Sequence, residues 1–201
     1  NINGAFNTAT GAGALFSNTS GANNTALGSV SLFSNTTGPG NTAIGSYSLP
    51  ANTTGYNNTS NGYGSMFSNT EGSENTANGQ EALFSNTTGS YNTAYGLHAL
   101  ASNIFGNSAT AIGYDAMRYV NNNTALGYQT LRSNTTGEGN TASGSGALFY
   151  NTTGFANTAT GTYSLNNNSI GNNNTAIGYR ALESSTTGNF NTASGSNALS
   201  Y

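Results

Sequence analysis

Few residues in this chain could do acid–base or metal chemistry: one His, three Arg and six carboxylates among 201 residues. His98 follows Glu81 by 17 residues and precedes Asp115 by the same number. A repeat of that length would set an imidazole between two carboxylates, as a weak metal site or as a row of surface charges. Glu71 and Glu74 share one loop in which no groove is implied, so the paired carboxylates of a glycosidase are not indicated. We therefore predict no enzyme, no catalytic or metal site and no cofactor.

The composition excludes further function classes. The chain has no Cys, so it has neither disulfides nor thiolate ligands. The net charge is −3 and basic residues do not cluster, which argues against nucleic acid as a partner. No run of about 18 apolar residues exists, so we expect no membrane insertion. Only 34% of the residues are hydrophobic, which leaves too few large side chains for a wide core.

The elements that must position these residues are the units of a 17-residue repeat. Numbering from the first Asn gives the consensus Asn-Thr-Ala-x-Gly-x-x-Ala-Leu-x-Ser-Asn-Thr-Thr-Gly-x-x. One unit, 109–122, keeps positions 1 to 10 and has 14 residues. Position 2 is always Thr: Thr8, Thr25, Thr42, Thr59, Thr76, Thr93, Thr110, Thr124, Thr141, Thr158, Thr175 and Thr192. Position 9 is always Leu or Met: Leu15, Leu32, Leu49, Met66, Leu83, Leu100, Met117, Leu131, Leu148, Leu165, Leu182 and Leu199.

A period of this length is too short for a helical hairpin and predicts one coil of a β-solenoid. We predict an all-β, parallel β-solenoid, or β-roll, of about twelve coils that forms a single repeat domain over residues 1–201. Each coil would hold a short strand, a Gly turn, a second short strand and a longer turn. Ala at position 3 and the position-9 core column of Leu and Met would point inward, and positions 2 and 4 outward. Gly at position 5 fits a corner with positive φ, and Asn or Thr ladders must supply much of the stability.

Two stretches share one pattern, which is an inward Ala, a Gly two residues later and an Ala three residues after that. The stretches are Thr110-Ala111-Ile112-Gly113-Tyr114-Asp115-Ala116 and Thr175-Ala176-Ile177-Gly178-Tyr179-Arg180-Ala181. The pattern resembles the head repeat of trimeric autotransporter adhesins, and the arrays are similar to those of phage tail fibres and large bacterial surface proteins. The resemblance covers essentially the whole chain. It implies a left-handed β-roll and a homotrimer whose apolar positions flank the Ala and face a shared axis. Here position 2 is Thr throughout, which favours a polar or partial trimer interface.

Aromatic residues form a second set of columns. Position 10 follows the inward Leu, so its side chains should point outward, as a contact surface or folded over the adjacent corner loop. Its Phe residues are Phe16, Phe33, Phe67, Phe84 and Phe149. The Tyr residues of positions 6 and 7 would pack in ladders or stack on sugars. Positions 12 to 14, as in Asn35-Thr36-Thr37, match the acceptor pattern for N-glycosylation.

These features predict a structural or adhesive segment of an extracellular fibre, on a cell surface or a virion, that acts by passive binding. Its expected partners are copies of itself, as a trimer or an end-to-end filament, and a host surface protein or glycan. The whole number of coils indicates either a piece of a longer array or a subunit that stacks head to tail. The Thr column of position 2 offers a rival function, ice binding.

Overall fold

The computed structural model describes residues 3–119 and 122–201, and those ranges contain strands and turns but no helix. Each repeat unit contributes one strand of three residues, at positions 2 to 4. The strands are β1 (Thr8–Thr10), β2 (Thr25–Leu27), β3 (Thr42–Ile44), β4 (Thr59–Asn61), β5 (Thr76–Asn78), β6 (Thr93–Tyr95), β7 (Thr110–Ile112), β8 (Thr124–Leu126), β9 (Thr141–Ser143), β10 (Thr158–Thr160), β11 (Thr175–Ile177) and β12 (Thr192–Ser194). The all-β prediction is confirmed.

The chain divides into two compact units, residues 1–107 with β1 to β6 and residues 108–201 with β7 to β12. Within each unit, consecutive strands pair in parallel. Equivalent residues pair with one another, as Thr25 does with Thr8 on one side and Thr42 on the other. Each unit is therefore a parallel β-solenoid in which the same repeat position stacks from coil to coil, as predicted. Left-handed winding and a single domain stay predictions.

Side chains of the strands alternate between the interior and the outer face, as the sequence predicts. In β2, Ala26 has no exposed surface, while Leu27 is 47% exposed and Thr25 is half-buried. In β4, Ser60 takes the place of the inward Ala and is buried as well. Its hydroxyl is not left unpaired, because Ser48 Oγ donates to Ser60 Oγ at 2.8 Å. Small side chains thus line the strand side of the interior from β2 to β12, with the polar exception satisfied by a neighbouring hydroxyl. The prediction of a buried Ala is wrong for β1, where Ala9 is exposed.

The prediction of a second strand in each coil is wrong. The segment that carries the inward Leu holds positions 7 and 9 in the left-handed region, for example His98 at φ 59° and Leu100 at φ 54°. A parallel strand needs φ near −120°, so this segment cannot continue as one. Its backbone still bonds between coils, since the Leu32 N–H donates to the Ser48 carbonyl at 3.1 Å. These bonds hold non-Gly residues in a conformation that costs about 1–2 kcal/mol per residue.

The predicted Gly corner at position 5 is confirmed. Gly28 has φ 140°, which an L side chain rarely adopts. A Cβ atom at this position would lie 2.4 Å from the carbonyl oxygen of Gly45 in the next coil. Both the backbone angle and the close approach of successive coils therefore require Gly here.

The position-9 side chains fill the interior opposite the Ala column. Leu15 and Leu182 are 7% and 4% exposed. Nine members of the column have no exposed surface: Leu32, Leu49, Met66, Leu83, Leu100, Met117, Leu131, Leu148 and Leu165. Leu199 was predicted to belong to this core, and that prediction is wrong, because it is 60% exposed. No later coil in the described chain covers its side chain.

Candidate binding surface and the ladders beneath it

A ladder of buried Asn side chains at position 12 runs along each unit. The Nδ2 group of Asn52 donates to Oδ1 of Asn35 at 2.8 Å, and that of Asn69 donates to Oδ1 of Asn52 at 2.9 Å. The same bonds join Asn151 to Asn134 in the second unit, at 2.8 Å. Inner members such as Asn52 and Asn151 thus donate to the coil before them and accept from the coil after them, whereas the Oδ1 atom of Asn168, at the end of the second run, has no hydrogen-bond partner among the described residues. The ladder ties successive coils together without exposing polar surface.

A second Asn ladder, at position 1, closes each coil. The backbone N–H of Asn41 donates to Oδ1 of Asn24 in the preceding coil at 2.9 Å. Asn24 in turn donates its Nδ2 group to the Gly38 carbonyl, which also accepts from Nδ2 of Asn35, both at 2.9 Å. The carbonyl of the Gly at position 15 therefore accepts one hydrogen bond from each of the two ladders. The sequence predicts Asn or Thr ladders, and the recurrence of Asn at two positions is the signal that identifies them.

The Asn residues of the position-12 ladder are the ones that match the N-glycosylation pattern. Asn35 and Asn86 have no exposed surface. The Nδ2 group of Asn86 donates to Asn69 Oδ1 at 2.7 Å and to the Gly89 carbonyl at 2.9 Å. A glycan would replace one of the two hydrogens on this nitrogen, so it would break at least one of the bonds, and it would have no path to solvent. N-linked sugars at these positions are therefore incompatible with the folded coil.

The Phe residues of position 10 stack on one another between adjacent coils. Phe16 and Phe33 have ring centroids 5.2 Å apart and planes 4° apart, and Phe67 and Phe84 stack at 5.0 Å and 11°. Phe16 is 71% exposed and Phe67 is 38% exposed, while Phe33, Phe84 and Phe149 are half-buried. The first pair therefore presents one largely open ring to solvent, Phe16, while the more exposed ring of the second pair, Phe67, is mostly covered. The predicted contact surface lies on the outside of the units, and what it contacts stays a prediction.

The Thr residues of position 2 form one in-register column on the strand face. Thr25 and Thr42 are paired neighbours, and both are half-buried. The adjacent outward column, position 4, changes from Ile44 to Asn78 to Tyr95. The face therefore carries a single regular Thr column beside an irregular one. Ice binding stays a prediction.

The charged residues form local ion pairs. His98 Nε2 lies 3.1 Å from Glu81 Oε2, with both side chains about one-third exposed. Asp115, in the 14-residue coil, is 5% exposed and is held by Arg132 at 2.5 Å and Arg118 at 3.6 Å. Among residues 3–119 and 122–201, no three or more His, Asp or Glu residues are placed to hold a metal ion.

A hollow of about 150 Å³ opens on the outer surface of the second unit. The hollow lies over Gly146, which occupies position 7 of its unit, like Gln129 and Tyr163 in the adjacent coils. All three residues have a positive φ, which is 65° at Gly146. The larger side chains around it are Tyr128, Gln129, Phe149, Tyr150, Tyr163 and Asn166.

Other glycines of position 7 are covered by the following coil. A Cβ atom on Gly13 would lie 3.2 Å from the ring of Phe33, at position 10 of the next coil, and Gly64 is covered in the same way. Above Gly146, position 10 is Asn166, whose Nδ2 group donates to the Gly146 carbonyl at 2.7 Å. A Cβ atom on Gly146 would lie 2.8 Å from the ring of Tyr163 and 3.3 Å from Asn166 Nδ2, so Gly146 is covered by the following coil as well. The Asn166 amide gives the neighbouring hollow a polar wall. Sequence reasoning missed this site, although an alignment of positions 6, 7, 10 and 11 in neighbouring coils brings its lining residues together.

Comparison with protein-family models, with curated proteins and with solved structures finds no match for the chain. Within the described ranges, no helix is long and apolar enough to cross a membrane. The surface columns and the hollow therefore carry the functional interpretation.

Proposed function

We propose that this chain is a structural and adhesive segment of an extracellular surface fibre, which binds passively through side chains displayed on stacked coils. The observation that carries the proposal is the exposure of large apolar side chains in register on consecutive coils. Leu27 and Ile44 are paired neighbours and are 47% and 38% exposed. Ile112 and Leu126 are paired in the second unit and are 43% and 37% exposed. Contiguous exposed apolar surface is typical of sites that bind another molecule.

The interior supports this role because it is held by bonds that repeat from coil to coil, except in the 14-residue coil 109–122, which has neither the position-1 nor the position-12 Asn. Two Asn ladders and the backbone bonds between coils fix the distance from each outward side chain to the next. A surface that keeps its shape before binding loses little conformational entropy when it binds. A passive adhesive segment needs only such a surface, and no moving part or reacting group.

The proposed location follows from the proposed role, on the outside of a cell or a virion. The proposed partners are a host surface protein or glycan and further copies of this chain, as a trimer or an end-to-end filament. Repetition of the same weak contact along a fibre would raise the overall affinity well above that of one contact. Sedimentation of the purified chain over a concentration series separates a fixed trimer from a filament that grows with concentration.

Adhesion can be tested with beads that carry the chain. We expect these beads to be retained on cultured epithelial cells, extracellular-matrix protein or neutral oligosaccharide more strongly than albumin-coated beads. The paired change Phe16→Ser and Phe67→Ser removes the two most exposed rings of the predicted contact surface and should reduce the retention. The control pair Asn61→Ser and Asn78→Ser changes exposed polar residues and should not.

The outcome that contradicts the proposal is retention no greater than that of albumin beads on all three surfaces. Circular dichroism of each variant shows whether the coils are still folded, so that a loss of retention can be assigned to the surface.

A further inference from the structure

We infer that the hollow over Gly146 binds one ring of a neutral sugar that belongs to a surface glycan. The inference rests on the proposed adhesive function, for which it names a ligand class and a site. The hollow lies on three consecutive coils of the second unit, and its lining contains aromatic rings, amides and a hydroxyl.

The aromatic part of the lining suits the carbon face of a sugar ring. Phe149 and Tyr150 meet edge to face, with centroids 4.6 Å apart and planes at 69°, so together they form a corner. Tyr128 and Tyr150 are each 53% exposed, which leaves apolar ring surface open to a ligand. Exposed Tyr rings offer a rigid apolar face together with a polar hydroxyl. A hexose ring matches this pairing because it carries C–H groups on its faces and hydroxyls around its edge.

The polar part of the lining suits hydroxyls rather than charges. Gln129 and Asn166 contribute amides, and Ser145 contributes a hydroxyl. The Nδ2 group of Asn166 donates to the Gly146 carbonyl, which leaves the Oδ1 atom of Asn166 to accept from other donors.

Among the described residues, the lining of the hollow has no acidic or basic side chain. Arg132 lies beside it, 5.7 Å from the centroid of the Phe149 ring, and is paired with Asp115. A charged ligand would lose hydration and would have to compete with Asp115 for this cation, so the lining favours a neutral sugar over a sialylated or sulfated one.

The size of the hollow limits the ligand to one ring. Pockets for drug-sized ligands enclose about 300–1,000 Å³, whereas this hollow encloses about 150 Å³. We therefore expect a dissociation constant in the millimolar range, which corresponds to about −4 kcal/mol. Such a site becomes useful when many copies along a fibre engage one glycan-covered surface.

The walls of the hollow are fixed to one another before any ligand binds. The Gly146 N–H donates to the Tyr128 carbonyl, the Tyr163 N–H to the Ser145 carbonyl and the Tyr150 N–H to the Asn166 carbonyl, each at 3.0 Å. These bonds link all three coils that line the site. The backbone segments that carry the rings therefore hold their spacing, and binding requires little ordering of the backbone.

Saturation-transfer NMR on the whole chain tests the site. The probes are methyl β-D-galactopyranoside, methyl α-D-mannopyranoside and, as the charged comparison, N-acetylneuraminic acid. We expect transfer to the C–H protons of at least one neutral glycoside and weaker transfer to the acid. The paired change Tyr128→Ser and Tyr150→Ser should weaken the binding of the neutral glycoside at least about tenfold. The control pair Tyr56→Ser and Tyr95→Ser removes two rings that are each 41% exposed in the first unit, and it should leave the affinity unchanged.

Three results would overturn the inference: no transfer to either neutral glycoside, equal affinity of the two paired variants for the neutral glycoside, or tighter binding of N-acetylneuraminic acid than of either neutral glycoside. Failure here can be told apart from failure of the adhesive role. Beads that are retained on cells although the chain takes up no sugar refute the sugar site alone. Sugar binding by a chain whose beads are retained on no surface refutes the adhesive role alone.

Discussion

Replacing Asn69 by Asp is expected to destabilise the first unit by at least about 3 kcal/mol at pH 7, and much less at pH 3. The Nδ2 group of Asn69 donates to Asn52 Oδ1 and to the Gly72 carbonyl, both at 2.9 Å. The Asn69→Asp change puts an oxygen against these two acceptors, in a site without exposed surface. Repulsion and burial both disfavour the ionised form, so the introduced carboxyl must take up a proton to remain in the ladder.

The pH dependence of this variant follows from the direction of that shift. The pKa of the introduced carboxyl is raised in the folded state above its unfolded value of about 3.9. Below that value the carboxyl is protonated in both states, and the ladder keeps a donor. As the pH rises further, the free energy of unfolding should fall by up to about 1.4 kcal/mol per pH unit, until the folded-state pKa is passed.

Urea unfolding followed by circular dichroism, at several pH values, measures this effect. The matched control is Asn78→Asp, which adds the same charge at an exposed position of β5 and should change the stability by no more than about 0.5 kcal/mol. Equal and pH-independent losses in the two variants would contradict the assignment of Asn69 to a buried ladder.

Replacing Leu83 by Asn is expected to lower the free energy of unfolding by about 3 to 5 kcal/mol. Leu83 has no exposed surface, and the change puts an amide in an apolar column and removes buried methyl groups. The backbone contribution has the opposite sign, because Leu83 has φ 53° and Asn tolerates this region better than Leu does. A measured loss therefore reports the burial of the side chain. Because each coil contacts mainly its neighbours, one damaged coil should weaken the cooperative stack.

The control for this variant is Leu97→Asn, the same change at a residue of the same unit that is 36% exposed. Its free energy of unfolding should stay within about 0.5 kcal/mol of the unmodified chain. A melting curve for the Leu83 variant that overlays that of the control would refute the inward assignment of position 9.

The repeat was sufficient to predict the parts of the fold that depend on side-chain type at a fixed position. The parallel stacking, the inward Ala26, the corner at Gly28 and the buried Leu column follow from a constant period and from strand alternation. The prediction that Leu199 is buried is wrong because burial in a stack depends on the next coil as well as on the residue itself.

The remaining features depend on contacts between coils that no single unit encodes. Gly and, less strongly, Asn signal a positive φ in a sequence, yet His98 and Leu100 adopt one because bonds to the neighbouring coils hold the segment. The hollow over Gly146 likewise depends on Asn166, which lies one coil further on. Such features can be predicted only after the columns have been aligned and neighbouring positions compared.

The central claim is that the same repeat position stacks directly over itself in successive coils, and a designed disulfide tests it most directly. Asn61 and Asn78 are paired neighbours on the outer face of β4 and β5, and the chain has no Cys of its own. Adjacent parallel strands lie about 4.8 Å apart, within reach of a disulfide, whereas Asn61 and Tyr95 are two coils apart and lie beyond it. The pair Asn61→Cys and Asn78→Cys should therefore form an intrachain disulfide on mild oxidation, detected by mass spectrometry, while Asn61→Cys with Tyr95→Cys should not. Free thiols in the first pair, or equal cross-linking in both, would contradict the stacked coil.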